Sequence, residues 1–234
     1  MCNFKRALAA SVVFVSLSVF AKEVIHHPAP KKPIYVETNL YDILKKQLPT
    51  PPAVGSKEQA ADEKEILKLT KERTDEQCKQ AKIEAPVSLD NFYGPATTKI
   101  KAEHIKILSP FFEQTRNDAD FFIQQMKIDF PRKRPFLYMK EVKPCVPEEV
   151  TGAYPSGHAT LSKLWALILT DFYPTESKTF EARAEDIGKH RILSGMHHPS
   201  DIKAGRQLAQ LIYNELKKSK TYEAAFKDVL AKIK

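Results

Sequence analysis

Three basic stretches, far apart in the chain, carry the residue types that a phosphoryl-transfer site needs. The first is Lys127-Ile-Asp-Phe-Pro-Arg-Lys-Arg134-Pro135. The second is Tyr154-Pro155-Ser156-Gly157-His158, and the third runs from His190-Arg191 through Gly195 to His197-His198-Pro199-Ser200-Asp201. Together they offer three fixed cations, a Ser-Gly turn that can open a helix, and two histidines, one with an aspartate four residues on. Such a set can form a phospho-histidine without a metal ion.

Each element has a local physical reason. Pro155 stops a preceding helix and Ser156 is a good N-cap, so a helix is expected to start there. Its first backbone N–H groups lack intrahelical partners, and a helix N-terminus is a natural anion site. Gly157 lets backbone approach an anion closely. The Ser156 hydroxyl can add a donor, and His158 stands in the first turn beside it. In the third stretch Gly195 can end one helix and Pro199 suits the first position of the next. That puts His197 just outside the helix and Asp201 in its first turn. The carboxylate can then fix the histidine tautomer and leave the other ring nitrogen free as a nucleophile. Lys127, Arg134 and Arg191 match the negative charge on the equatorial oxygens of a transferring phosphoryl group. Each charge-assisted bond contributes about 1.5–3 kcal/mol. Arg132 and Lys133 read as solvated members of a basic loop. Taken singly, each string is what an ordinary capped helix or basic loop also looks like; their joint order is far more specific.

Lys-x6-Arg-Pro, then Pro-Ser-Gly-His, then Arg-x5-His-x3-Asp resembles the signature of the type 2 phosphatidic acid phosphatase and vanadium haloperoxidase superfamily. The Leu48–Ser56 segment with Gln59 and Asp62, the Arg73–Cys78 run, Arg134-Pro-Phe136, Tyr154 and Gly205-Arg206 narrow the resemblance to bacterial class A non-specific acid phosphatases. It covers roughly residues 48–216. The resemblance implies a compact all-α single-domain helical bundle and phosphomonoester hydrolysis without metal or other cofactor. It assigns His197 as nucleophile, Asp201 as its orienting partner and His158 as proton donor to the leaving oxygen. Lys127, Arg134, Ser156, Gly157 and Arg191 would hold the phosphoryl oxygens. It also suggests an assembly of at least two chains, and phosphotransfer is open to such a site where alcohols compete with water. One departure stands out: His190 replaces the serine usual before the arginine of the third motif. His198 is expected to line the pocket mouth. Two other readings are a vanadate-dependent haloperoxidase-like enzyme and an exported protein that binds phosphate or polyanions without turnover.

The surrounding elements must place these residues. Residues 1–21 combine Lys5 and Arg6 with an apolar run of about 14 residues, short of the roughly 20 a spanning helix needs. They read as a secretory signal peptide cut after Ala21, which predicts a periplasmic or secreted protein without stable membrane insertion. Cleavage lowers the formal charge from +8 to +6. That balance favours anionic partners, but no nucleic-acid motif is present, and a small phosphomonoester is the expected partner. Of three cysteines, Cys2 leaves with the leader, and Cys78 and Cys145 are expected to pair in an oxidising compartment. Residues 22–47 read as a flexible proline- and lysine-rich leader, whose His26–His27 pair lacks a third ligand at metal-binding spacing, and residues 48–234 as the catalytic domain.

Ser56 with Gln59 reads as a capping box opening a helix to about Lys82. Residues 101–109 and 110–127 read as two helices, with Phe111, Phe112, Phe121, Phe122 and Met126 at core spacing. The near-continuous apolarity of 156–172 marks a central buried helix. Further helices are expected over 179–193 and 199–218, with a short one after.

Overall fold

The computed structural model describes residues 31–234 and the backbone of Val24–Ile25. The expected leader peptide, Cys2 and the His26–His27 pair lie outside the described residues. Among the described residues there are nine α-helices: α1 Tyr41–Gln47, α2 Lys57–Glu72, α3 Asp75–Glu84, α4 Leu89–Tyr93, α5 Ala102–Asp129, α6 Gly157–Phe172, α7 Ser177–Leu193, α8 Pro199–Leu216 and α9 Lys220–Ile233. Two two-residue strands, β1 (Val24–Ile25) and β2 (Glu148–Glu149), pair in parallel. The fold is all-α, as expected. No helix among the described residues is long and apolar enough to cross a membrane.

The central position expected for α6 is realised. Leu161, Leu164, Trp165, Ile168 and Leu169 are buried, and the helix packs against α7 and α8. Fully burying a side chain of this size contributes about 1.5–3 kcal/mol. Trp165 Nε1 donates to Thr115 Oγ1 of α5 at 3.2 Å, so the indole N–H is not left unpaired. Phe111, Phe112, Phe122 and Met126 of α5 complete the core, and Phe121 packs against it half-buried. A Cβ at Gly205 of α8 would come within 2.6 Å of the Ser156 carbonyl. That glycine therefore lets α8 lie against the start of α6.

Four expectations change. The helix read as running to Lys82 breaks at Arg73–Thr74. Thr74 accepts from the Gln77 N–H while the Gln77 side chain accepts from the Thr74 N–H, so α3 starts with its own capping box. Arg73 turns away to donate to the Leu193 and Lys143 carbonyls. At the start of α2, Ser56 caps as expected, but Gln59 spends its amide on Glu63 and Tyr138 rather than reaching back. The two helices expected over 101–127 are one, α5, with Pro110 inside it. Proline in a helix interior costs roughly 3 kcal/mol. Here Leu108, Phe111 and Phe112 are buried on either side of it and hold the helix in place. Finally, residues 31–47, expected within a flexible leader, are fastened to the bundle. The Ile34 and Tyr35 N–H groups donate to the buried Asp118 carboxylate at 3.0 and 2.6 Å, and Val36 and Leu44 are buried. The expected disulfide is present: Cys78 of α3 is bonded to Cys145, tying α3 to the loop before β2.

Candidate active site

The expected site residues converge where α6 and α8 begin. Ser156 caps α6, its hydroxyl accepting from the Ala159 N–H at 3.4 Å, and its own N–H donates to the Asp201 carbonyl of α8 at 3.1 Å. A Cβ at Gly157 would meet only Ile123, at an ordinary 3.7 Å, so packing within the chain does not demand glycine there. Gly195 has φ +80° and ends the turn after α7. The next residues swing His197 inward, with its N–H on the Arg191 carbonyl at 3.2 Å.

His197 is fixed by its partners. Arg134 Nη1 donates to His197 Nε2 at 3.0 Å. A guanidinium cannot accept a hydrogen bond, so Nε2 carries the lone pair and Nδ1 the proton. Burial first, then the Arg134 charge, pushes the imidazole down to about 3, which keeps it neutral. His158 has the complementary arrangement. Its Nε2 lies 3.2 Å from the Glu84 and Ala85 carbonyls, which only accept, so Nε2 carries a proton and Nδ1 is the exchanging nitrogen. Burial and the nearby Arg191 charge hold His158 well below the usual histidine value.

The cations are buried. Arg134 uses all five of its N–H groups. Nε donates to the Thr151 carbonyl at 2.9 Å, and Nη1 to the Met196 carbonyl at 3.1 Å and to His197. Nη2 donates to Glu149 Oε2 at 2.6 Å and to Thr151 Oγ1 at 3.2 Å. Arg191 Nη2 donates to Glu149 Oε1 at 2.6 Å, while its Nε and Nη1 are buried without a hydrogen-bond partner. Lys127 Nζ donates to the Gly152 carbonyl at 2.6 Å. Burial, with the Arg134 charge, pushes its ammonium down to about 7.

Asp201 is not placed as the spacing suggested. Its Oδ2 accepts from the His198 N–H at 2.7 Å and from His198 Nδ1 at 2.9 Å. His197 Nδ1 stands 3.5 Å from the same oxygen, long for a hydrogen bond. His198 is thus the tighter partner. It does not line a pocket mouth: it is fully buried, stacked on Tyr138, with Nε2 2.8 Å from the Tyr138 hydroxyl. Asp201 Oδ1 accepts from Arg132 Nη1 at 2.6 Å. Burial alone would raise the Asp201 carboxyl, but the His197 and His198 rings and the Arg132 charge hold it well below the carboxylate range.

Arg132 is therefore no solvated loop residue. Its side chain is 7% exposed and also donates to Asp62 Oδ2 at 2.8 Å, to Ser200 Oγ at 2.6 Å and to Gln59 Oε1. His190 gains a role as well. Its Nδ1 lies 2.9 Å from the buried Glu84 carboxylate, which Arg183 also meets at 2.7 Å. The Glu84 carboxyl would be raised by burial, but His190 and Arg183 lower it below its ordinary value. The main chain of Glu84 supplies one of the two carbonyls facing His158, so His190 lies behind His158. Arg132, Glu149 and Glu84 carry no sequence signal because their partners are distant in the chain. His198 does carry one, since it stands three residues before Asp201.

Residues 119–222 match the family model described as the PAP2 superfamily. All eight residues expected to hold or transfer phosphate fall inside this matched stretch. A non-specific acid phosphatase of Providencia stuartii is 29% identical over 97% of this chain and 98% of its own. Two solved structures share this fold. One is a transmembrane PAP2-type phosphatidylglycerolphosphate phosphatase from Bacillus subtilis, with TM-score 0.51 and 20% identity, matching 77% of this chain and 92% of that one. The other is a bacterial vanadium-dependent iodoperoxidase, with TM-score 0.58 and 16% identity, matching 74% of this chain and 52% of that one.

Proposed function

We propose that this protein is an exported, metal-independent phosphomonoesterase that works through a phospho-His197 intermediate. The observation that carries the reading is the buried meeting of Arg134 with His197 Nε2 at 3.0 Å. It sets a neutral nucleophile against a cation in the site where Arg191 keeps two buried donors unpartnered. The Providencia relative, similar along nearly the whole chain, is named an acid phosphatase. The Cys78–Cys145 bridge supports an oxidising compartment.

In this reading the phosphate settles on the start of α6, taking hydrogen bonds from the Ser156 hydroxyl and the first N–H groups of the helix. Lys127, Arg134 and Arg191 offset its charge. His197 Nε2 attacks phosphorus in line, the ester P–O bond breaks, and the His158 Nδ1 proton goes to the leaving alcohol. Water then attacks the phospho-histidine, giving its proton back to His158 as orthophosphate leaves and His197 is regenerated. Acid–base help of this kind contributes about 10²–10⁴-fold. His158 alone sits too low to be charged near neutrality. The substrate dianion, opposing the Arg191 charge, raises it, so binding and protonation are coupled and turnover favours the acid side of neutral.

His197→Ala is expected to abolish turnover of an aryl phosphate with EDTA present. His158→Ala is expected to accumulate acid-labile label on His197 from a radiolabelled substrate. Wild-type turnover by His197→Ala, or label on another residue, overturns the mechanism. Loss of wild-type activity in EDTA overturns metal independence. An exported chain whose amino terminus is not Lys22 overturns the cleavage site.

A further inference from the structure

Glu149 is an acid in the middle of a site built for an anion. It lies on β2, is 5% exposed, and its two carboxylate oxygens reach Arg134 and Arg191 at 2.6 Å each. Two phosphoryl oxygens would be expected to take the same two guanidinium groups. Lys127 and His158 face the carboxylate from α5 and α6, and Arg116 and Asp120 of α5 line the same small pocket.

The donor inventory decides what this means. Arg134 has no N–H to spare, since every one of its five is already engaged within the chain. A substrate oxygen can reach Arg134 only by taking the place of one of those acceptors. The carbonyls are fixed backbone, and His197 is the nucleophile. Two side-chain acceptors remain on Nη2: the Thr151 hydroxyl, at 3.2 Å and uncharged, and Glu149, at 2.6 Å, whose departure alone changes the charge facing the cations. Displacing it exchanges one anion for another, and the gain depends on the charge of the incomer. A phosphodiester or other monoanion replaces one negative charge with one. A phosphomonoester dianion adds a second negative charge opposite the same cations.

We propose that Glu149 is a specificity-determining residue: an internal carboxylate that the substrate must displace, and that admits dianionic monoesters while excluding monoanionic diesters. The inference rests on the phosphatase reading above but is tested by binding as well as by turnover. In the wild type, sulfate is expected to raise the melting temperature, and dimethyl phosphate at equal concentration to leave it unchanged. Glu149→Gln is expected to tighten dimethyl phosphate binding at least tenfold more than it tightens sulfate binding. It is also expected to lower the ratio of kcat/KM for p-nitrophenyl phosphate over bis(p-nitrophenyl) phosphate at least tenfold. Glu148→Gln, the neighbouring acid, should leave that ratio unchanged. The proposal is overturned if wild-type protein binds both anions equally, if Glu149→Gln leaves the anion preference and the ester ratio where they were, or if Glu148→Gln shifts them as much. These binding arms do not depend on His197 chemistry. A failed phosphatase reading would show as active His197→Ala with the anion preference intact, and a failed proposal as normal monoester turnover without that preference.

Discussion

Replacing Arg132 with methionine tests the support of Asp201 and His197 most directly. The guanidinium sits between two buried carboxylates, 2.6 Å from Asp201 and 2.8 Å from Asp62, with Ser200 at 2.6 Å. Removing one member of a buried ion pair typically costs about 3–5 kcal/mol, because the remaining charge is left uncompensated. Both carboxylates keep other partners here. Asp201 retains the His198 N–H and ring, and Asp62 retains the Ser200 N–H at 3.1 Å. The lower end, about 3 kcal/mol, is therefore expected. At about 2–4 °C per kcal/mol for a domain of this size, the melting temperature should fall by about 6–12 °C. Asp201 would also lose the anchor on Oδ1 and swing further toward His198, away from His197. Misplacing a reacting group by about 1 Å can cost 10²-fold, so kcat should fall roughly 10–100-fold while KM changes little. Arg132→Lys keeps the charge but not the fork, and should fall between. Asp62→Asn combined with Arg132→Met should recover stability but not kcat. Thermal melts followed by circular dichroism, with steady-state kinetics on an aryl phosphate, measure both effects. A melting temperature within about 2 °C of wild type together with an unchanged kcat would refute the argument.

Three other outcomes are expected. Lys127 is pushed down to about 7, so it is charged below that pH and neutral above it. Competitive inhibition by sulfate, a dianion throughout, should weaken as pH rises through about 7, and Lys127→Met should remove that break. His190→Ala leaves the buried Glu84 carboxylate short of one partner and should cost roughly 1–3 kcal/mol in urea denaturation. Its kcat should fall more than KM rises, since Glu84 stands behind His158. Cys145→Ala opens a cross-link between residues 67 apart, and the loop-closure argument gives a loss of about 4 kcal/mol, read as a lowered denaturation midpoint.

How much of this was legible in the sequence follows from the range of each interaction. Ser156 as a cap, Gly195 as a stop and Pro199 as a start act within a few residues, and the structure places each as the local rules require. The apolar run of α6 likewise announced its burial. A continuous helical pattern masks the break between α2 and α3, although Thr74 and Gln77 form a local capping box. Pro110 signals a break that α5 does not have, because the burial that outweighs it comes from tertiary packing. Arg132 looked like one basic residue among three, because its acceptors Asp62 and Asp201 are 70 and 69 residues away. His190 was unexplained for the same reason, its partner Glu84 being 106 residues off. The His197–Asp201 spacing gave the right neighbourhood but not the geometry, because adjacent His198 takes the carboxylate first.

The seating of α2 bears on how the protein loses function. This helix supplies Gln59 and Asp62 to Arg132, and through Arg132 it steadies Asp201. Yet its one fully buried apolar side chain is Ile66, which belongs to a small cluster apart from the main core. Segments with few buried apolar contacts open at lower free energy than the whole domain. Lifting α2 alone would expose Arg132 and release Asp201 while α5 and α6 stayed packed. Amide exchange along residues 57–72 should therefore keep pace with thermal inactivation, and both should run ahead of the unfolding of the Trp165 core.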